Sequence, residues 1–185
     1  KIRWEKSNKT NTGLAMQVEA LSQGLANASF LAIPIFLISV SPLSKLSTLE
    51  IVGFTIVILS LVFETIADYQ KLKFLKEMKR QNKQNIVCDV GLWKYTRHPN
   101  YFAEWMVWNG LIITSIPSYI SLFDLEALWL WIMIGVALLY TSRIMYITLV
   151  YLTGAVPSEY YSAQKRPAYK AYQQSTNIFF PGFKK

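Results

Sequence analysis

The stretch from residue 91 to residue 108 is the densest polar and aromatic segment of the chain. Pro99 suits the first turn of a helix, because the N–H that proline lacks would be unpaired there anyway. Residues 96–98 would then supply the cap. The unpaired N–H groups at a helix start attract anions, and Lys94 and Arg97 add full positive charges beside them. The pattern predicts a helix that begins near Pro99 and binds a phosphate at its N-terminus.

The helical repeat after Pro99 places an amide, a carboxylate and aromatic rings on one surface. Asn100 and Glu104 fall on one stripe, and Tyr101 falls on the next stripe. Such a surface suits a nucleotide, so we take Asn100 as a binding residue and Tyr101 and Glu104 as candidate catalytic residues. His98 is the only histidine. We expect it to be a cap or a structural donor beside the cofactor rather than a metal ligand, because no cluster of His, Cys and carboxylates accompanies it.

Two carboxylates precede this segment at helical spacing. Glu64 and Asp68 are four residues apart, so they share one face if the helix continues, and Lys71 follows them. A carboxylate at membrane depth is costly unless it faces a cavity or a partner, which makes Glu64 a candidate catalytic residue. Asp68 and Lys71 are candidate binding residues. The alternative is that both acids merely pair with the lysines that follow.

Two tyrosines near the C-terminus have a similar spacing. Tyr169 and Tyr172 are three residues apart, so they point the same way on a helix. One interpretation is an aromatic belt at the membrane interface. The other is contact with a ligand from the cytosolic side.

The elements that must position these residues are membrane helices. Of 185 residues, 52% are hydrophobic and only 16% are charged, which argues against disorder and against an ordinary soluble domain. Long uncharged runs predict four spans, near 22–42, 47–69, 101–119 and 127–152. We therefore expect an all-α, multi-span integral membrane bundle that forms a single domain over residues 1–185. The alternative is a very apolar soluble helical domain.

The basic residues are unevenly distributed. Three segments, residues 1–12, 70–100 and 158–185, hold 17 of the 19 Lys and Arg. The positive-inside rule then places both termini, the loop 70–100 and the segment 158–185 on the cytosolic or an equivalent side. The basic loop suits anionic membrane lipids or an anionic ligand. We do not expect a nucleic-acid partner, because the sequence pairs the positive charge with neither a DNA-recognition helix nor a sheet whose aromatic residues could stack on bases.

The run from Arg97 to Phe102, followed by Glu104 and Trp108, resembles the signature of the steroid 5-alpha-reductase C-terminal superfamily, and within it the DUF1295 branch. Further matching features follow in the same order along the chain: Ala67-Asp68, Gly91-Leu-Trp93, Glu159, Arg166-Pro-Ala-Tyr169 and Phe179-Phe-Pro181. The resemblance covers about residues 64–183.

The resemblance implies a membrane oxidoreductase that uses NADPH to reduce a carbon–carbon double bond conjugated to a carbonyl in a sterol or other lipid. It places six residues in or near the cofactor cavity: Asp68, Arg97, Asn100, Glu104, Tyr169 and Tyr172. The family's additional N-terminal helices have no visible counterpart, so we expect a truncated form of the fold. Ala103 also stands where the family usually has Gly. The methyl group of alanine leaves less room for a ligand to approach the backbone at this position.

Two rival functions stay open. Isoprenylcysteine carboxyl methyltransferases share the fold and an Arg-His-Pro-x-Tyr element, and they bind S-adenosylmethionine. The other rival is a non-catalytic membrane subunit that keeps the fold inside a larger complex. In each case we expect an integral membrane location, either an endomembrane or organelle membrane of a eukaryote or the inner membrane of a bacterium.

Overall fold

The computed structural model describes Gln17, Val18, Leu21, Gly24 and residues 31–184. Over this part the chain is helical and contains no strand. In chain order the continuous helices of residues 31–184 are α1 (Ala32–Ser39), α2 (Thr48–Arg80), α3 (Pro99–Ser121), α4 (Leu128–Ile147), α5 (Ala155–Lys165) and α6 (Tyr169–Ser175). The prediction of an all-α fold is confirmed.

Three of the four predicted spans are confirmed as helices long and apolar enough to cross a membrane. They correspond to α2, to α3 with the turn that continues it to Asp124, and to α4 with its continuation through α5. The outward faces of these helices carry large apolar side chains, such as Leu139, which is 77% exposed. A hydrocarbon environment suits such faces. Of the first predicted span, 22–42, the structure describes Gly24 and residues 31–42, which contain the eight-residue helix α1; residues 22, 23 and 25–30 lie outside the described residues.

Helix α2 begins at a capping box. The Ser47 hydroxyl accepts a hydrogen bond from the N–H of Glu50, and the Glu50 carboxylate accepts one from the N–H of Ser47. The helix then continues for 33 residues, about 50 Å at 1.5 Å per residue, which exceeds the roughly 30 Å of a bilayer core.

The C-terminal end of α2 extends beyond the predicted span. The helix ends at Arg80, although the sequence pattern predicted a loop from residue 70. Residues 70–80 contain no Gly or Pro and are rich in Lys and Leu, which favour helix. The charged residues after position 70 therefore mark the end of the apolar segment of α2, while the helix itself continues to Arg80.

Helices α2 and α3 approach closely at two glycines. A Cβ on Gly53 would lie 2.5 Å from the backbone nitrogen of Thr114, and one on Gly110 would lie 3.0 Å from the carbonyl oxygen of Gly53. Small residues at such a contact let two membrane helices pack backbone to backbone. This contact holds α2 and α3 together and determines which face of α2 meets α3 along the rest of the two helices.

The C-terminal segment returns to the start of α3. The N–H of Arg97 donates to the carbonyl of Asn177 at 2.9 Å, and the Thr96 hydroxyl donates to the carbonyl of Phe179 at 2.9 Å. The Phe179 ring is 1% exposed and packs with Met145, Leu149 and Val150. This return brings α5 and α6 beside the N-terminus of α3, where they build the candidate site.

Candidate functional site

A cavity of about 100 Å³ lies at the N-terminus of α3. Its walls come from α2, the segment 87–98, α3, α5 and the start of α6. Seven residues predicted from the sequence line it: Lys71, Arg97, His98, Asn100, Tyr101, Tyr169 and Tyr172. The other lining residues are Val87, Cys88, Trp93, Ser158, Ser162 and Arg166. Helices far apart in sequence thus bring most of the candidate binding residues to one place.

Two cations that line the cavity have no carboxylate partner. The Lys71 ammonium lies 4.2 Å from the centre of the Trp93 ring, a cation–π contact. Arg166 makes only a long contact of 3.5 Å from Nη1 to the Ser162 hydroxyl. Neither forms a salt bridge within the part of the chain that the structure describes. Both cations therefore lack a salt-bridge partner in the described structure, and Asp68 is a carboxylate that interacts with Lys71 without forming a salt bridge.

Sequence reasoning did not select Arg166 as a site residue. The signal was present, since Arg166 stands in the Arg-Pro-Ala-Tyr motif that carries part of the family resemblance. Its position beside Lys71 depends on how α5 and α6 pack against α2, and no local pattern encodes that packing.

The start of α3 leaves polar groups without partners. Helix α3 begins at Pro99 as predicted, but the side chain of its N-cap residue, His98, caps no N–H group of the helix. The Thr96 side chain does not cap the helix either, because its hydroxyl accepts a hydrogen bond from the N–H of His98 at 3.3 Å. In the described structure the N–H groups of Asn100 and Tyr101 meet no protein acceptor. The Oδ1 atom of Asn100 is buried and also unpartnered. The two N–H groups give the cavity donors that suit an anion, whereas the Oδ1 atom is an acceptor.

Arg97 lines the cavity, but its guanidinium is held in a buried ion pair. Its Nε donates to Oε1 of Glu159 at 2.6 Å, and its Nη2 donates to Oε2 at 3.1 Å. Its Nη1 donates to the carbonyls of Gln173 and Thr176 at the end of α6. The sequence prediction made Arg97 a phosphate ligand. The structure places its guanidinium, 8% exposed with its residue, among protein acceptors that neutralise it and hold α5 and α6 to α3.

His98 belongs to the same network. Its Nε2 lies 3.0 Å from Oε1 of Glu159, and its ring stacks on that of Tyr101 with centroids 5.2 Å apart. Burial lowers the pKa of His98 below its ordinary value, although the contact with Glu159 acts in the opposite direction. At neutral pH the imidazole is therefore uncharged and lends the cavity no further positive charge.

This shift predicts a pH dependence of stability. In the unfolded chain the imidazole binds a proton near its ordinary pKa of about 6.5, whereas the folded imidazole binds one only at lower pH. The free energy of unfolding should then be highest above about pH 6.5, should fall as the pH drops from about 6.5 toward the folded pKa, and should level off below the folded pKa. Each unit of pKa lowering is worth about 1.4 kcal/mol. Denaturant titrations between about pH 7.5 and pH 5 measure this slope, and His98→Gln should flatten it. An unchanged slope in that variant would contradict the assignment.

Tyr169 and Tyr172 are buried, each with 6% exposure, so the interpretation as an interfacial belt is wrong for these two side chains. The hydroxyl of Tyr172 donates to the carbonyl of Trp93. Burial raises the pKa of both phenols well above the ordinary value, so both are neutral donors. The Tyr172 hydrogen bond connects α6 to the cavity wall at Trp93. Tyr169 also lines the cavity, and the centroids of the Tyr169 and Tyr172 rings are 5.7 Å apart.

The candidate carboxylates form a second group beside the cavity. Glu64 on α2 and Glu104 on α3 are close enough to repel each other. Tyr101 interacts with Glu104 and with Asp68 and also lines the cavity, so it stands between the two groups. Glu64, Asp68 and Glu104 do not line the cavity themselves. Lys94 is exposed on a turn of Gly91–Lys94 and lies outside it.

Comparison with known proteins gives one finding. A family model described as "Protein of unknown function (DUF1295)" matches residues 3–176, most of the chain. No curated protein and no solved structure matches this chain.

Proposed function

This chain belongs to the DUF1295 family, and we propose that it is a membrane-bound reductase that uses NADPH to reduce a carbon–carbon double bond conjugated to a carbonyl in a sterol or other lipid. One observation carries the proposal. The cavity at the start of α3 combines two cations that form no salt bridge in the described structure, Lys71 and Arg166, with free N–H groups of a helix N-terminus. This combination suits the phosphates of a dinucleotide.

The sign of the charge favours NADPH over the cofactor of the rival methyltransferase. S-adenosylmethionine carries a sulfonium and an ammonium against one carboxylate, so its net charge is positive. Lys71 and Arg166 would repel such a ligand and would attract the strongly anionic NADPH. The neutral His98 and the Arg97–Glu159 pair leave this balance unchanged.

The residues present fit a phosphate group. Lys71 and Arg166 supply charge, the Asn100 and Tyr101 N–H groups supply donors, and the unpartnered Oδ1 atom of Asn100 supplies an acceptor for a hydroxyl of the ligand. Since one water occupies about 30 Å³ in the liquid, a cavity of about 100 Å³ holds a phosphate but not a whole dinucleotide. The rest of the cofactor would extend along the neighbouring surface. When bound, the reduced nicotinamide would supply a hydride.

The reduction also needs a proton for the second carbon. Tyr101 is suited to donate it, because its side chain lines the cavity and interacts with Glu104. Glu104 interacts with Tyr101, and Glu64 interacts with Glu104, so these three predicted residues would together form the proton source. Since α2 and α3 are both candidate spans, a lipid substrate would reach this group from the bilayer. The cofactor would enter from the cytosolic or equivalent side, where the positive-inside rule places the basic segments.

Cofactor binding by the purified protein in lipid nanodiscs tests the proposal. We expect isothermal titration to show binding of NADPH at least about tenfold tighter than binding of S-adenosylmethionine, because two unpaired cations each contribute on the order of 1 kcal/mol or more with an anion. Tighter binding of S-adenosylmethionine would favour the methyltransferase. Binding of neither cofactor, with stable co-purifying proteins, would favour the non-catalytic subunit.

A further inference from the structure

A second pocket, of about 340 Å³, lies where α2 ends. It is formed by the last two turns of α2, by the segment 82–86 and by Arg166 of the α5–α6 connection. Asn82 and Asn85 both have positive φ, 53° and 59°, and this left-handed backbone curls the segment around the end of the helix. The pocket lining is Leu75, Met78, Lys79, Asn82, Lys83, Gln84, Asn85, Ile86 and Arg166.

The charge of this pocket is entirely positive. Lys79, Lys83 and Arg166 line it, and no carboxylate does. The nearby Glu77 is engaged by Arg80 at 2.7 Å and lies outside the lining. Lys79 and Lys83 form no salt bridge with any residue that the structure describes. Three unneutralised cations in one pocket predict an anionic occupant of high charge density, such as a phosphate monoester.

The uncharged part of the lining suits a nucleoside. Leu75, Met78 and Ile86 offer an apolar surface for the flat face of a base. The carboxamides of Asn82, Gln84 and Asn85 offer donors and acceptors for its edge. A lipid headgroup would use the cations but would leave the amides and the apolar surface without a role.

The two pockets are adjacent because Arg166 lines both. The first holds a phosphate but is too small for a dinucleotide, so a dinucleotide bound there must extend beyond it. The second offers room, charge and amides at the point where Arg166 connects them.

We propose that the second pocket binds the adenosine end of the dinucleotide, and that Lys79 and Lys83 bind the phosphate that NADPH carries on its adenosine ribose and NADH lacks. This inference rests on the proposed function and adds the residues that select between the two dinucleotides. Lys79 and Lys83 are then specificity-determining residues, whereas Lys71 and Asn100 contact what the two dinucleotides share.

The test compares two double variants. Lys79→Gln with Lys83→Gln removes two of the three positive charges of the pocket. Lys73→Gln with Lys76→Gln is the control, since Lys73 and Lys76 are exposed on α2 and line neither pocket. We expect the pocket variant to bind NADPH about tenfold to a hundredfold more weakly and NADH unchanged, and the control to change neither. Equal weakening of both dinucleotides, or an unchanged affinity for NADPH, would overturn the proposal.

A smaller probe separates this inference from the proposed function. Adenosine 2′-monophosphate should bind the wild-type protein, adenosine should bind much more weakly, and the pocket variant should lose the difference. If NADPH fails to bind but this result holds, the subsite stands and the reductase proposal falls. If glycerol 3-phosphate, a soluble analogue of a lipid headgroup, binds at Lys79 and Lys83 and adenosine 2′-monophosphate does not, the pocket binds a lipid headgroup and the inference is overturned.

Discussion

Replacing Arg97 with alanine is expected to lower the free energy of unfolding by about 3–5 kcal/mol, because it leaves the buried carboxylate of Glu159 without its charged partner. The change also removes the donors that satisfy the carbonyls of Gln173 and Thr176. Helices α5 and α6 would lose their main polar connection to the start of α3. Denaturant unfolding of the detergent-solubilised protein, followed by tryptophan fluorescence, measures the loss.

Variants of both partners give the control. Glu159→Gln should also destabilise the protein, since it leaves the guanidinium unpaired. The double variant Arg97→Met with Glu159→Met should cost less than the sum of the two single changes, because no buried charge is left alone. If Arg97→Ala keeps wild-type stability and loses only NADPH affinity, Arg97 is a phosphate ligand after all and its pairing with Glu159 is dispensable.

Removing both unpaired cations of the cavity should weaken NADPH binding by about 10² to 10⁴. Hydrogen bonds to charged groups contribute about 1.5–3 kcal/mol each, and Lys71→Gln with Arg166→Gln removes two charged donors. The fold should persist, since neither side chain forms a salt bridge within the described structure. Isothermal titration with NADPH measures the affinity, and the unfolding transition of the same sample verifies the fold.

Lys94 offers a control of equal charge. It lies exposed outside the cavity, so Lys94→Gln should change the NADPH affinity by less than a factor of about three, as expected for screened surface charge. Were Lys94→Gln to weaken binding as much as Lys71→Gln does, the attraction would arise from the general basic surface and the cavity would have no special role. An unchanged affinity in the Lys71 and Arg166 double variant would contradict the site itself.

The sequence by itself determined the features that depend on local physics. Uncharged runs of sufficient length predict membrane helices wherever they occur, and the second, third and fourth spans follow from them. Pro99 predicts the start of α3 because its ring suits the first helical turn, where the N–H that proline lacks would be unpaired anyway. The spacing of Glu64 and Asp68 likewise predicts that they share a face of α2, and the spacing of Asn100 and Glu104 predicts that they share a face of α3.

Tertiary structure alone decided which groups are paired. Arg97, Lys94 and Arg166 have similar charge in the sequence. Only the return of the C-terminal segment buries Arg97 against Glu159, which is 62 residues away, and leaves Arg166 unpaired in the cavity. Helix periodicity fixes directions within one helix, but it carries no information on the distance between side chains of different helices. The charge available to a ligand depends on that distance, because a cation already neutralised by a buried carboxylate has little attraction left for a phosphate.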